Sequence, residues 1–202
     1  MCIRDSLTVE TTYKVAQSTI DIVIEASTDK TTLCNFTNHS YFNLDGTKNI
    51  ANHQLMVECD KVLPVDENGI PISGPIFAKD LDLDFKTGRT LNNNGKPIEV
   101  DHNFCISNTR QNLRRNAFVT AKNISLELFS TEPGLQVYTG KGLNSGNEKI
   151  WGKYPYREFA GIALEPQIWP DAPNQIDFPN PLLQPGDKYK HHTRLKFSRT
   201  KI

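Results

Sequence analysis

Ile20-Asp21-Ile22-Val23-Ile24-Glu25-Ala26 decides the fold class. Ile20, Ile22, Ile24 and Ala26 fall on one side of an extended chain, with Asp21, Val23 and Glu25 on the other. That is the period of two a half-buried strand requires. Working outward, Leu55, Val57 and Cys59 alternate with Gln54, Met56 and Glu58, and Ser125 to Ser130 and Arg194 to Ser198 repeat the pattern. Turn residues separate these runs at short intervals: Asp45-Gly46, Asn68-Gly69, Ser73-Gly74-Pro75, Asn94-Gly95, Pro133-Gly134, Asn144-Ser145-Gly146 and Pro185-Gly186-Asp187. Glycine and proline are the poorest helix-interior residues, so little room is left for a long helix, and an all-β antiparallel sandwich or barrel is expected. One stretch, Leu81 to Leu91, has acids (Asp82, Asp84) near its start and bases (Lys86, Arg89) near its end, as a short helical turn prefers.

The chain has 202 residues, with Lys+Arg 23 balancing Asp+Glu 23. A zero net charge without basic runs offers no field for a phosphate backbone or an anionic membrane, so neither nucleic acid nor lipid is expected as a partner. No run approaches the roughly 18 apolar residues of a membrane-spanning helix. The cysteines, Cys2, Cys34, Cys59 and Cys105, are scattered and form no C-x-x-C pair. They read as free core thiols in a reducing compartment, with cytoplasm the default. Met1-Cys2-Ile3-Arg4-Asp5-Ser6 matches what a transposon end used in sequencing-library preparation encodes. These six residues are expected to be an appended scar, which leaves 7–202 as one partial β domain.

Three segments put ionisable groups beside aromatics: Asn38-His39-Ser40-Tyr41-Phe42-Asn43-Leu44, Val100-Asp101-His102-Asn103-Phe104, and Gly161 to Asp171 around Leu164-Glu165-Pro166-Gln167. A carboxylate ending an apolar run is costly unless paired or functional. Each has a plain structural alternative: His39 as a hydrogen-bonded rim residue, Asp101 as a turn cap, and Glu165 as half of an ion pair with Arg157. Lys190-His191-His192-Thr193 reads as surface at the start of the last strand; adjacent residues of a strand point to opposite faces, so the two histidines cannot easily share an ion. Lys86 to Arg89 and Arg110 to Arg115 read as solvated loop charge.

Together these segments resemble the aldose 1-epimerase (galactose mutarotase) family. The matching residues are Thr37 to Leu44, Leu63-Pro64-Val65-Asp66, Asp101 to Phe104, Thr131 to Gly140, Leu164 to Gln167 running into Pro170-Asp171-Ala172-Pro173-Asn174, and Leu183 to Tyr189. The resemblance implies a large antiparallel β-sandwich that interconverts the α and β anomers of free aldoses such as galactose and glucose, with neither metal nor organic cofactor. It implies Glu165 as the base, His39 as the acid, and Asp101, Gln136 and Asn38 as residues that hold sugar hydroxyls. A buried Glu can have its pKa raised into the useful range of a base, and a His titrates near neutral pH. Trp169 or Phe42 could stack on the sugar's apolar face.

Family members are longer, and the resemblance begins partway through their pattern, at about Leu7. Their upstream part carries a further His, in an Asn-x-Leu-His-Gly-Gly-like segment, and an Arg that contacts sugar. His53, His102, His191 and His192 stand in the wrong contexts to replace them. The sequence therefore reads as an N-terminally truncated member with diminished activity and an uncovered sheet edge. A non-catalytic sugar-binding module and a hexose-phosphate 1-epimerase are the two alternatives. The sequence pattern makes no statement about oligomeric state.

Overall fold

The computed structural model describes residues 6–148 and 154–199. Of the six proposed scar residues, all but Ser6 lie outside that range. In chain order the strands are β1 (Leu7–Ala16), β2 (Thr19–Thr28), β3 (Thr32–Leu33), β4 (Tyr41–Phe42), β5 (Gln54–Val57) and β6 (Lys61–Val62). They continue with β7 (Ile76–Phe77), β8 (Arg89–Thr90), β9 (Asn92–Asn93), β10 (Lys96–Pro97), β11 (Asp101–Cys105) and β12 (Arg114–Ala121). The last are β13 (Ile124–Ser130), β14 (Gly134–Tyr138), β15 (Ile162–Gln167), β16 (Leu182–Leu183) and β17 (Tyr189–Arg199).

Two antiparallel sheets dominate. A seven-stranded sheet has the order β1-β2-β17-β13-β12-β5-β8, and a six-stranded sheet the order β4-β15-β14-β11-β6-β7. One core lies between them. It takes Ile22, Ile24, Leu55, Val57, Val119, Leu126, Leu128 and Leu195 from the first sheet, and Val62, Phe104, Leu135, Val137, Ile162 and Leu164 from the second. Ile22, Ile24, Leu55, Val57, Leu126, Leu128 and Leu195 lie in the runs whose alternation marked them as strands, and the expected all-β sandwich is the architecture found.

The expected helical turn over Leu81 to Leu91 is displaced. The chain makes a 3-10 turn over Ala78–Leu81 and stops at Asp82, whose left-handed backbone (φ 55°) ends it. Asp84 then accepts the Lys86 N–H through its side chain at 3.0 Å. The acids here serve turns, which short polar side chains do better than they support a helix.

Two readings of surface charge are corrected. His191 is buried, bonded through Nδ1 to the Phe36 carbonyl (3.0 Å) and through Nε2 to Thr193 Oγ1 (2.7 Å). His192, on the opposite face, bonds Asp21 at 2.6 Å. Arg110 is not loop charge either: it forks onto Glu132 at 2.7 and 3.1 Å, a carboxylate with no solvent exposure, and lies 4.3 Å over the Tyr189 ring. Arg114 and Arg115 belong to β12. Charge this deep is tolerated because it is paired and hydrogen-bonded. Among the described residues Cys34, Cys59 and Cys105 are free and buried, and burial pushes the Cys34 thiol up to about 11.

Candidate active site

The outer face of the six-stranded sheet gathers most of the ionisable and amide groups singled out in the sequence. Strand register aligns Asn103, Gln136 and Glu165 in one row across β11, β14 and β15. The next row on that face aligns Asp101, Tyr138, Ala163 and Tyr41 across β11, β14, β15 and β4. Side chains two apart along a strand share a face, so the alternation that sends Val137, Leu164 and Phe104 into the core presents these polar groups outward. His102 takes the inward side with Phe104, and burial lowers its pKa.

His39 comes from an irregular segment and meets this surface from above. Its Nε2 lies 3.5 Å from Glu165 Oε1, with the imidazole half-exposed and the carboxylate nearly sealed off. Tyr41 and Tyr138 flank the imidazole, with ring centroids 5.0 and 6.4 Å away. Between the two tyrosines the row carries only the small Ala163, which keeps the floor under His39 low. Burial raises the Glu165 carboxyl above its ordinary range; His39 offsets this and Asp101 adds to it. The Gln136 Nε2 donates to Asp101 Oδ1 at 2.7 Å, while its buried Oε1 has no partner among the described residues. Asn38 accepts the Ser40 N–H at 3.3 Å and so shapes the turn beside His39.

Gly134 closes the far end of the surface. A Cβ there would come within 2.5 Å of Asn103 Oδ1 and 2.8 Å of Trp169, so only glycine lets the indole fold down on the sheet. Trp169 is buried, donating to the Pro133 carbonyl at 3.0 Å and packing on Phe178. It is core. Phe42 packs against Phe197, with their ring centroids 6.3 Å apart. The aromatics that face the imidazole are Tyr41 and Tyr138, to which the sequence pattern assigns no role. Their signal was present: Tyr138 is two residues from Gln136 on the same strand face, and Tyr41 two from His39.

Glu165 is not at a strand end. The strand runs through Pro166, which pairs with Leu135, to Gln167. The suggested Arg157 partner bonds Asn144 and Asn147 instead. Among the described residues no three His, Cys, Asp or Glu side chains gather so as to hold a metal ion.

A carboxylate and an imidazole converge on an antiparallel sandwich, beside an amide–carboxylate pair. The chain belongs to the aldose 1-epimerase family, whose model matches residues 5–196. It is 38% identical over 204 residues to human galactose mutarotase, covering 95% of this chain and 58% of that protein. It is 34% identical over 190 residues to Escherichia coli aldose 1-epimerase, covering 88% of this chain and 54% of that protein. An aldose epimerase homologue from C. elegans superposes with a TM-score of 0.87 at 27% identity, over 96% of this chain and 61% of the other. A galactose 1-epimerase from Lactobacillus acidophilus gives 0.80 at 25%, over 96% and 58%. The chain thus spans little more than half the length of the curated relatives it matches.

Proposed function

We propose that this chain interconverts the α and β anomers of free aldohexoses such as galactose and glucose by general acid–base catalysis. The observation that carries this reading is the 3.5 Å approach of His39 to a buried Glu165. The C1 hydroxyl and the ring oxygen are bonded to the same carbon, so acid and base must converge. Glu165 takes the proton of the C1 hydroxyl, whose O–H electrons become the carbonyl π bond. The C1–ring oxygen bond breaks, and the ring oxygen takes a proton from His39. After rotation about C1–C2 the same steps run backward on the other carbonyl face. Burial makes Glu165 a stronger base than an exposed carboxylate, and histidine gives up a proton near neutral pH. Asp101, Gln136 and Asn38 hold the remaining hydroxyls: the unpartnered Gln136 Oε1 suits a hydroxyl donor. The partner is a small aldose. The names of the relatives above favour this reading over a binding module or a hexose-phosphate enzyme, and three buried free thiols among the described residues suit a reducing cytoplasm.

The test is polarimetry of freshly dissolved α-D-galactose and α-D-glucose with the chain and its Glu165→Gln variant. The expected outcome is acceleration by the wild type and a loss of about a hundredfold or more in the variant. Equal rates in the two proteins would remove Glu165 from the chemistry. Saturable sugar binding without acceleration would establish the binding module instead.

A further inference from the structure

Residues 34–40 form no regular element, yet they deliver His39 to Glu165. Two attachments bracket the imidazole. On its C-terminal side β4 pairs Tyr41 with Ala163 and Phe42 with Ile162. Continuing that register two residues back along one chain and two forward along the other sets His39 opposite Glu165. The backbone ladder has no donor at the next position of β15, because Pro166 has no N–H. Past the proline a side chain takes over: Asn35 Nδ2 donates to the Ile168 carbonyl at 3.1 Å, and Asn35 Oδ1 accepts the Ile168 N–H at 2.9 Å. A carboxamide offers the same donor and acceptor as a peptide group. Asn35 therefore makes with Ile168 the bond pair a strand residue makes across an antiparallel ladder.

The neighbouring peptide is anchored elsewhere. The Phe36 N–H donates to the Tyr189 hydroxyl at 3.2 Å, and the Phe36 carbonyl meets His191 Nδ1 at 3.0 Å, both partners being buried residues of β17. The segment is thus tied to the seven-stranded sheet through Phe36, and to the strand that bears Glu165 through Asn35 and β4.

We propose that Asn35 is a positioning residue, its amide locking the segment in register with β15 and thereby setting the gap between His39 and Glu165. Its consequence for turnover rests on the epimerase reading above; the gap itself does not. His39 is half-exposed, with the Tyr41 and Tyr138 rings beside it, so the register of its segment governs its distance from Glu165. Phe36 keeps its two bonds to β17, so the fold survives the loss of the Asn35 amide.

The test is a substitution cycle read on the Glu165 carboxyl by carbon NMR during pH titration. In the wild-type background His39→Gln raises the Glu165 midpoint, because the imidazolium beside it favours the carboxylate. In an Asn35→Ala background the same replacement is expected to leave the midpoint unmoved. Asn35→Asp keeps the acceptor for the Ile168 N–H and loses the donor, so an intermediate shift is expected; this variant also serves should the alanine fail to fold by circular dichroism. Equal His39→Gln shifts in all backgrounds overturn the proposal. Where the chain accelerates anomer exchange, Asn35→Ala lowers kcat by about tenfold or more with KM little changed. A wild-type chain without anomer exchange defeats the epimerase reading, while the titration cycle still decides the role of Asn35.

Discussion

Glu165 is held where its charge is costly. Its residue is 7% exposed, and burial outweighs the nearby imidazole in raising its pKa. A carboxyl whose pKa is higher folded than unfolded favours the fold when protonated. That contribution is full below the unfolded pKa and is lost as pH rises through the folded one. Glu165→Gln should therefore be more stable than the wild type at pH 7, by about 1 kcal/mol, the scale typical of single stabilising substitutions. The gain should shrink toward zero below about pH 4, where the wild-type carboxyl is protonated in both states. Urea unfolding at the two pH values checks this, and a gain independent of pH would show that the charge is not its source.

Among elements, the pairing of β2 with β17 carries the opposite pH dependence. Burial pushes the Asp21 carboxyl up, but Arg194, at 2.8 and 3.3 Å, and His192, at 2.6 Å, outweigh it and hold it below the ordinary range. A depressed carboxyl stabilises the fold above its unfolded pKa, and that stabilisation is lost as pH falls through the folded value. Asp21→Asn should cost about 1 kcal/mol near neutrality, a modest figure because Arg194 is partly in solvent. The difference should close on acidification; thermal melts of both proteins from pH 7 downward would reveal a constant offset if the cluster contributed only packing.

At the scale of the molecule, the sandwich is covered unevenly. Val9, Tyr13 and Val15 pair with Ala26, Ile22 and Ile20, so they belong to the core-side face of the seven-stranded sheet. They are nevertheless 42%, 60% and 71% exposed. β1 is also an edge strand, paired on one side only. An apolar face ending in an open edge invites pairing with another chain. The wild type should self-associate as concentration rises, whereas Val9→Lys with Val15→Lys should scatter light as a 22.8 kDa monomer. A wild type that stays monomeric throughout would count against this reading.

The sequence by itself determined the fold class and singled out ionisable groups beside aromatics, Glu165 among them. The alternation through Ile20 to Ala26, the turn pairs between runs, and an acid inside an apolar run at Glu165 all follow from local chain geometry, which a short window of residues contains. What only the tertiary structure decided is who stands beside whom. Glu165, Gln136 and Asn103 share a row because three separate strands pair in one register, and no window holds that information. The same applies to Arg110 with Glu132, to His191 against Phe36, and to Asn35 against Ile168. Arg110 and His191 stand among neighbours in sequence that suggest surface, and nothing beside Asn35 in sequence points to Ile168. In each case the partner lies well outside any such window, and only the folded sheets bring the two close enough for burial to be repaid by hydrogen bonds.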